Sequence, residues 1–335
     1  MGACAAAVHR CCTVVPLRRP DHSPTPATPG EGGFSALTEF DGVVKVVTNP
    51  SSSSPLSGVQ RMSSRILLAA LALSAAASAQ AAVSVNSTSF TYSQSFDTLA
   101  SSGSANTWGN DTTLTGWYLY NKNNAAISSY GTAASNAGGF FAFGAGSDRA
   151  LGGTGSGGTV FGSPTSGAVA GYIALALTNN TAATLSGFTF SYEGEQWRDG
   201  GVSAGTSGGS LAQTMKVEYG FGSSFSAVSS WTALGGSFQF TSPVFGSTST
   251  SGVAVNGNGA GLVTGLGGSV LATWAPGDTL WVRWVETNDV NNDHSLAIDN
   301  VSFSVTAAAV PEPTSYALLL AGLGAVGFIS RRRRG

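Results

Sequence analysis

The sequence predicts an all-β protein, a two-sheet sandwich with a hydrophobic segment on either side of it. Three observations predict this. Short runs alternate apolar and polar residues, as in Phe188-Thr-Phe-Ser-Tyr192 and Leu280-Trp-Val-Arg-Trp284; with period two, one face of each run is apolar. Clusters of Gly, Ser and Asn separate the runs, at Gly152–Gly158, Gly200–Gly209 and Asn256–Gly261, which is turn and loop chemistry. Stripes at the helical period are absent between them, so nothing supplies the crossovers of a parallel α/β sheet.

Residues 1–61 differ from the rest. They hold Cys4, Cys11 and Cys12, two of the three histidines and seven of the twelve prolines. They read as a disordered leader or a mis-assigned start, with Met62 the initiator. From Met62 the chain runs MSSRILLAALALSAAASAQAA. One arginine, an apolar stretch and a small-residue Ala79-Gln-Ala81 site form a secretory signal peptide over 62–81, expected as a signal helix and addressed to the Sec export machinery.

The body, 82–305, has no cysteine. Disulfides, thiolate metal sites and a cysteine nucleophile are excluded, and stability falls to burial, with or without a bound ion. Between Val83 and Val305 twelve Asp/Glu stand against five Lys/Arg, a net charge of −7. Nucleic-acid partners, which need clustered cations, are excluded. The strands follow in order: Ile173, Leu175 and Leu177 alternate with Tyr172, Ala174 and Ala176; then come Phe188–Tyr192, Met215–Tyr219 and Leu280–Trp284. Val301, Phe303 and Val305 form a last inward row.

Two clusters carry candidate chemistry. In Tyr192-Glu-Gly-Glu-Gln-Trp-Arg-Asp199, a strand continuing through Gly194 places Glu193 and Glu195 on one face, about 7 Å apart. Paired glycosidase carboxylates use roughly 5–9.5 Å. The same stretch, with Trp197 as an aromatic platform and Arg198 as a polar anchor, also suits saccharide binding, or a plain polar strand end. The second cluster, Asn288–Asn300, opens with Asp289, Asn291 and Asp293 in the pattern of a calcium loop. His294 replaces the loop's glycine and Asn300 its closing glutamate, so an EF-hand is rejected. A structural Ca²⁺ remains an expectation, with Asp299 as fourth ligand. Asp299 is in phase with Val301, Phe303 and Val305, so its carboxylate is expected to point inward and to need a partner.

Catalytic sets are otherwise missing. His294 is the single histidine of the body, which excludes a three-histidine zinc site. No G-x-S-x-G elbow appears on a strand-to-helix turn, and the glycine-rich stretches lack the Lys-Ser/Thr of a phosphate loop. The body is read as non-catalytic.

Thr306–Ala309 form a linker into the last segment, 310–335. Tyr316–Ile329 is a fourteen-residue apolar stretch, about 21 Å as a helix against a hydrocarbon core of about 30 Å. Arg331–Arg334 follow directly, the positive-inside arrangement. Val310, Pro311, Glu312 and Pro313, then a transmembrane helix over about 315–330, then Arg331, Arg332, Arg333 and Arg334, resemble the PEP-CTERM sorting signal of Gram-negative bacteria. The resemblance covers about 25 residues. It implies recognition by exosortase, a membrane-embedded cysteine transpeptidase cutting near Pro-Glu-Pro. It also implies inner-membrane anchoring before processing, and then release to the cell surface or extracellular matrix among producers of extracellular polysaccharide. Separately, Leu296-Ala-Ile-Asp-Asn-Val-Ser-Phe303 resembles the last strand of jelly-roll carbohydrate-binding-module and MAM-type domains, which makes the expected sandwich jelly-roll-like. The functional expectation is a sorted, non-catalytic surface protein that contacts polysaccharide. The alternatives are a carbohydrate-active hydrolase using Glu193 and Glu195, and a purely structural adhesion or matrix protein.

Overall fold

The computed structural model describes residues 82–133, 137–307 and 315–333. The expected leader, the signal peptide, Val310, Pro311, Glu312, Pro313 and Arg334 lie outside the described residues. In chain order the strands begin with β1 (Val83–Val85), β2 (Thr91–Gln94), β3 (Asn106–Thr107), β4 (Trp117–Asn121) and β5 (Ser129–Tyr130). Next come β6 (Gly139–Phe143), β7 (Ala150–Thr154), β8 (Ala168–Asn179), β9 (Leu185–Asp199) and β10 (Thr214–Phe221). Short β11 (Thr232–Leu234), β12 (Phe240–Thr241) and β13 (Val253–Ala254) precede β14 (Leu262–Trp274), β15 (Thr279–Asn288) and β16 (Ser295–Ala307). An α-helix, α1 (Ser315–Arg332), follows.

The strands form two seven-stranded sheets and a two-stranded ribbon of β3 and β5. Sheet A runs β1-β8-β15-β10-β11, with β4 also on β8 and β12 also on β10. Sheet B runs β13-β9-β16-β7-β6, with β14 also on β9 and β2 also on β16. The described pairings are antiparallel except β1 with β8. The all-β sandwich is as expected. The jelly-roll likeness has support only at the level of two packed, largely antiparallel sheets.

Alternation put the core where it is. Leu280, Val282 and Trp284 of β15 and Met215 and Val217 of β10 face Phe188, Phe190 and Tyr192 of β9 in one buried cluster. Trp284 sits at its centre. Its ring stacks on Trp117 at 5.7 Å and meets Phe190 and Tyr192 of the opposite sheet edge-on, at 6.0 and 5.6 Å. Such aromatic geometry adds to plain area burial. The outer face of sheet A is covered as well: Tyr118, Tyr120, Tyr172 and Trp281 pack with Phe225 from a loop. Across the register, Arg283 donates to Glu218 at 2.7 Å and stacks over Trp231 at 3.8 Å. Burial on both faces explains why Ala170–Leu177 is buried throughout although its sequence alternates.

Three local expectations need correction. Gly152 and Gly153, read as loop, lie inside β7. Glycine is required there because a β-carbon on Gly152 would sit 2.2 Å from the Leu296 carbonyl oxygen. The linker starts later, because β16 pairs with β9 through Thr306 and Ala307. Most consequential, Asp299 does not point inward with Val301. Asn300 adopts a left-handed φ of 47° where the β16–β9 register shifts between Asp299 and Ser302. This bulge reverses the phase. Before it Leu296 and Ile298 face the core, and after it Val301 and Phe303 do. Asp299 therefore lies on the outer face with Ala297.

Helix α1 stands where the apolar tail was expected, and its described apolar side chains, Leu318 to Ile329, are exposed. Among the described residues no helix is long and apolar enough to cross a membrane.

Trp284→Ala should lower stability by about 3–5 kcal/mol, the usual cost of emptying a buried aromatic site. In a domain of this size that lowers Tm by roughly 2–4 °C per kcal/mol, readable by thermal circular dichroism.

Candidate functional site

β9 carries the first cluster and splits it between two places. Odd positions face outward: Glu193, Glu195 and Trp197. Even positions face inward: Gly194 against the Phe240 ring, Gln196 and Arg198 toward the far end of the sandwich.

On the outer face, Glu193 accepts a hydrogen bond from Asn300 Nδ2 at 2.7 Å, and Glu195 accepts one from Trp197 Nε1 at 2.9 Å. Trp197 stacks on Phe143 at 6.3 Å, and Gly257 presses on its indole so closely that a β-carbon would lie 2.3 Å from Cε2. The ring is half-buried and braced on two sides. Glu195 is only 2 % exposed. Two loops close over it, joined where Asn258 Nδ2 donates to Asp148 Oδ2 at 2.7 Å. Asp299, opposite Glu193 in the register, is 1 % exposed in the same chamber. Burial raises the Glu195 carboxyl to about 7, opposed by the Trp197 hydrogen bond and reinforced by Asp148 and Glu193. Burial raises Asp299 to about 8, opposed by an Asn300 backbone hydrogen bond and reinforced by Glu195, Asp148 and Asp97. Desolvation and like charge both disfavour the ionised form.

The expected calcium set is divided. Among the described residues, the one convergence of three acidic or histidine ligands joins Asp299 to Asp148 and Glu195, not to Asp289, Asn291 and Asp293. Those three form a turn closed by its own bonds: the Asp289 N–H donates to Asp293 Oδ1 at 2.6 Å, and Thr206 donates to Asn291 Oδ1. The bulge at Asn300 is the reason, since it turns Asp299 away from the row it was assigned to. Asp148 escaped the sequence reading because a lone aspartate in a Gly/Ser loop carries no pattern. The one hint was an acid among few charges.

The inward side chains of β9 build a polar end to the sandwich. Gln196 accepts from the Val244 N–H at 2.8 Å and donates back to the Val244 carbonyl at 2.6 Å. Its Nε2 also lies 3.2 Å from His294 Nδ1, and His294 Nε2 lies 3.1 Å from Asp199 Oδ1. With Nδ1 accepting, the proton is on Nε2, facing the carboxylate. Burial holds His294 below its ordinary value, so the ring is neutral. At 1 % exposure this Asp–His contact is closed to substrate, and His294 Nε2 makes no well-aligned hydrogen bond in it. Gln213 takes the His294 N–H at 2.6 Å and donates to the Asn292 carbonyl at 2.9 Å. Together these bonds tie the loops after β9, β12 and β15 to the sheets.

Beside them is a cleft of about 290 Å³ lined by Thr154, Ser156, Arg198, Thr250, Asn288, Asn291, Asn292 and Asp293. Arg198 Nη1 donates to the Asp293 carbonyl at 2.7 Å. Burial lifts Asp293 to about 8 and Asp289 to about 6. Glu286, under β7, is raised well above the carboxylate range, first by burial, then by Asp293 and Asp289, with a Gly155 backbone hydrogen bond opposing.

These shifts set a pH slope. A carboxyl whose folded value is raised adds stability below its unfolded value, and loses it as pH rises through the folded value. His294, depressed by burial, has the opposite effect and adds stability above about pH 6.5. From pH 6 to 9 the acids dominate and Tm should fall. Glu286→Gln, which fixes the neutral form, should make that fall smaller and raise Tm at pH 9, as read by thermal melts across the range.

Compared with known proteins, the chain matches the family described as "PEP-CTERM protein-sorting motif" over residues 309–334. No curated protein matches it. The motif makes this an exported protein processed by exosortase, and it concerns the tail alone.

Proposed function

We propose that this chain is a surface-destined, non-catalytic sandwich that contacts extracellular polysaccharide, delivered by the Sec machinery and held briefly in the inner membrane by α1. For the anchor, the support is the row of exposed Leu318, Leu319, Leu320, Leu323, Val326, Phe328 and Ile329, followed by Arg331 and Arg332. The apolar run is shorter than the hydrocarbon core, and arginines at its end can snorkel to the interface to lengthen the span. A marginal span suits a temporary stop.

The observation that carries saccharide binding is the polar cleft. Arg198, Thr250, Asn288, Asn291, Asn292 and Asp293 offer amides, a hydroxyl, a cation and a carboxylate within one concave site. Sugars are bound by such fixed polar groups, which replace water around each hydroxyl. The same lining speaks against hydrolysis, because Asp293 is its single carboxylate and glycosidases need two. Glu193 and Glu195 are engaged elsewhere, by Asn300 and Trp197.

In cells with exosortase the secreted protein should lose its mass C-terminal to the Pro311-Glu312-Pro313 region, and in cells without it the tail should be retained, by mass spectrometry. On a polysaccharide array the protein should retain at least one acidic or neutral glycan. Thr250→Trp, an exposed change that fills the cleft, should reduce that retention at least about tenfold, the loss of ~1.4 kcal/mol. Binding to nothing, or unchanged binding by Thr250→Trp, would sink the cleft reading. Release of reducing ends would favour the hydrolase instead.

A further inference from the structure

We propose that Asp148, Glu195 and Asp299 form a binding site for a single Ca²⁺ ion beneath the loops that cover the outer face of sheet B. The site is independent of the polysaccharide reading and is built from three parts of the chain: Asp148 from the β6–β7 loop, Glu195 from β9 and Asp299 from β16.

The first argument is geometric. One oxygen from each carboxylate lies within 4.8 Å of the others. Calcium binds oxygens at about 2.3–2.6 Å, so two ligands on opposite sides of one ion are about 5 Å apart at most. The three carboxylates already stand at the separations of a shared cation. The second argument is an orphaned atom. Asp299 Oδ1 is buried, 1 % exposed as a residue, and has no hydrogen-bond partner. It belongs to the group that converges on Glu195 and Asp148. An unpaired buried carboxylate oxygen is costly, and chains keep one where something else satisfies it.

The surroundings are those of a held site. Trp197 Nε1 fixes Glu195 Oε2, and Asn258 Nδ2 fixes Asp148 Oδ2. These contacts orient ligands as outer-shell bonds do in metal sites. No cation neutralises the trio: the ion pairs among the described residues join Arg283 to Glu218 and His294 to Asp199. The donors are all carboxylate oxygens, which select hard cations over zinc or copper. Calcium is favoured over magnesium because it accepts six to eight ligands in irregular geometry, with loop carbonyls or water completing the shell, whereas magnesium demands a near-ideal octahedron. The backbone explains why the site exists. Only the bulge at Asn300 puts Asp299 and Glu195 on the same face. An ion here would pin the β6–β7 loop to the two central strands of sheet B. That is a cross-link in a body with no cysteine to provide one.

The test uses the full chain, stripped with EDTA and returned to buffer containing CaCl₂ or none. Calcium should raise Tm. Tb³⁺ should bind the same site and emit on tryptophan excitation, because Trp197 touches the ligand Glu195, and Ca²⁺ should quench that emission by displacement. Asp299→Asn and Glu195→Gln should weaken Tb³⁺ affinity by more than about tenfold and abolish the calcium shift in Tm. Both replace a buried acid by a neutral isostere, so the calcium-free fold should be retained, as checked by circular dichroism. Trp197→Phe should lose most of the emission while keeping the calcium shift. Asp289→Asn, in the loop of the sequence-predicted calcium set, should behave as wild type. A wild-type chain with neither a Tm shift nor Tb³⁺ emission would overturn the site. So would a response that survives Asp299→Asn, or one that Asp289→Asn removes.

Discussion

The pairing of β9 with β16 is the constraint on which the rest depends. These two strands run side by side through the centre of sheet B, from Arg198 opposite Ser295 to Leu185 opposite Ala307. At one end their inward residues, Phe188, Phe190, Val301 and Phe303, close the aromatic core against sheet A. Further along, β9 presents Gln196 and Arg198 to a polar interior, where His294, just before β16, meets Gln196. One ladder thus serves both a dry half and a hydrogen-bonded half. Of its three register shifts, the one at Asn300 decides which face Asp299 meets.

The two halves hold by different means. In the dry half stability comes from aromatic burial, with Trp284 bridging Trp117 and the rings of the opposite sheet. In the polar half long glycine-rich loops cannot bury much, so they are tied by side chains that satisfy their backbone groups. Gln196 holds Val244, Asp199 accepts from Gly201 and Ser247, and Gln213 holds Asn292. A buried polar network is favourable only when its members are satisfied. Burial raises the carboxyls of Glu286 and Asp293, which favours their neutral forms in this network. The cleft exists because these loops are arched and fixed rather than collapsed onto the sheet.

The sorting motif and the body speak to different questions. The tail accounts for export and processing; it does not act on a ligand. The body has no thiol to oxidise, and its converging carboxylates suit a hard cation.

The sequence by itself determined the class of fold, the inward rows of the main strands and the tail. All three are local. Alternation is written residue by residue, and Pro-Glu-Pro, an apolar run and four arginines stand in one short order. The shared outer face of Glu193 and Glu195 was legible for the same reason. What only the tertiary structure decided depends on distant contacts. Gly152 looks like loop until its backbone is pressed against Leu296, 144 positions later in the chain. Asp148 has no local signature, and it acquires meaning only where a loop folds over β9. Asp299 was placed in the wrong row because alternation extrapolates through Asn300, whereas the backbone turns left-handed there and reverses the phase. Period-two reasoning holds only while the register holds, and the register is set by the neighbouring strand.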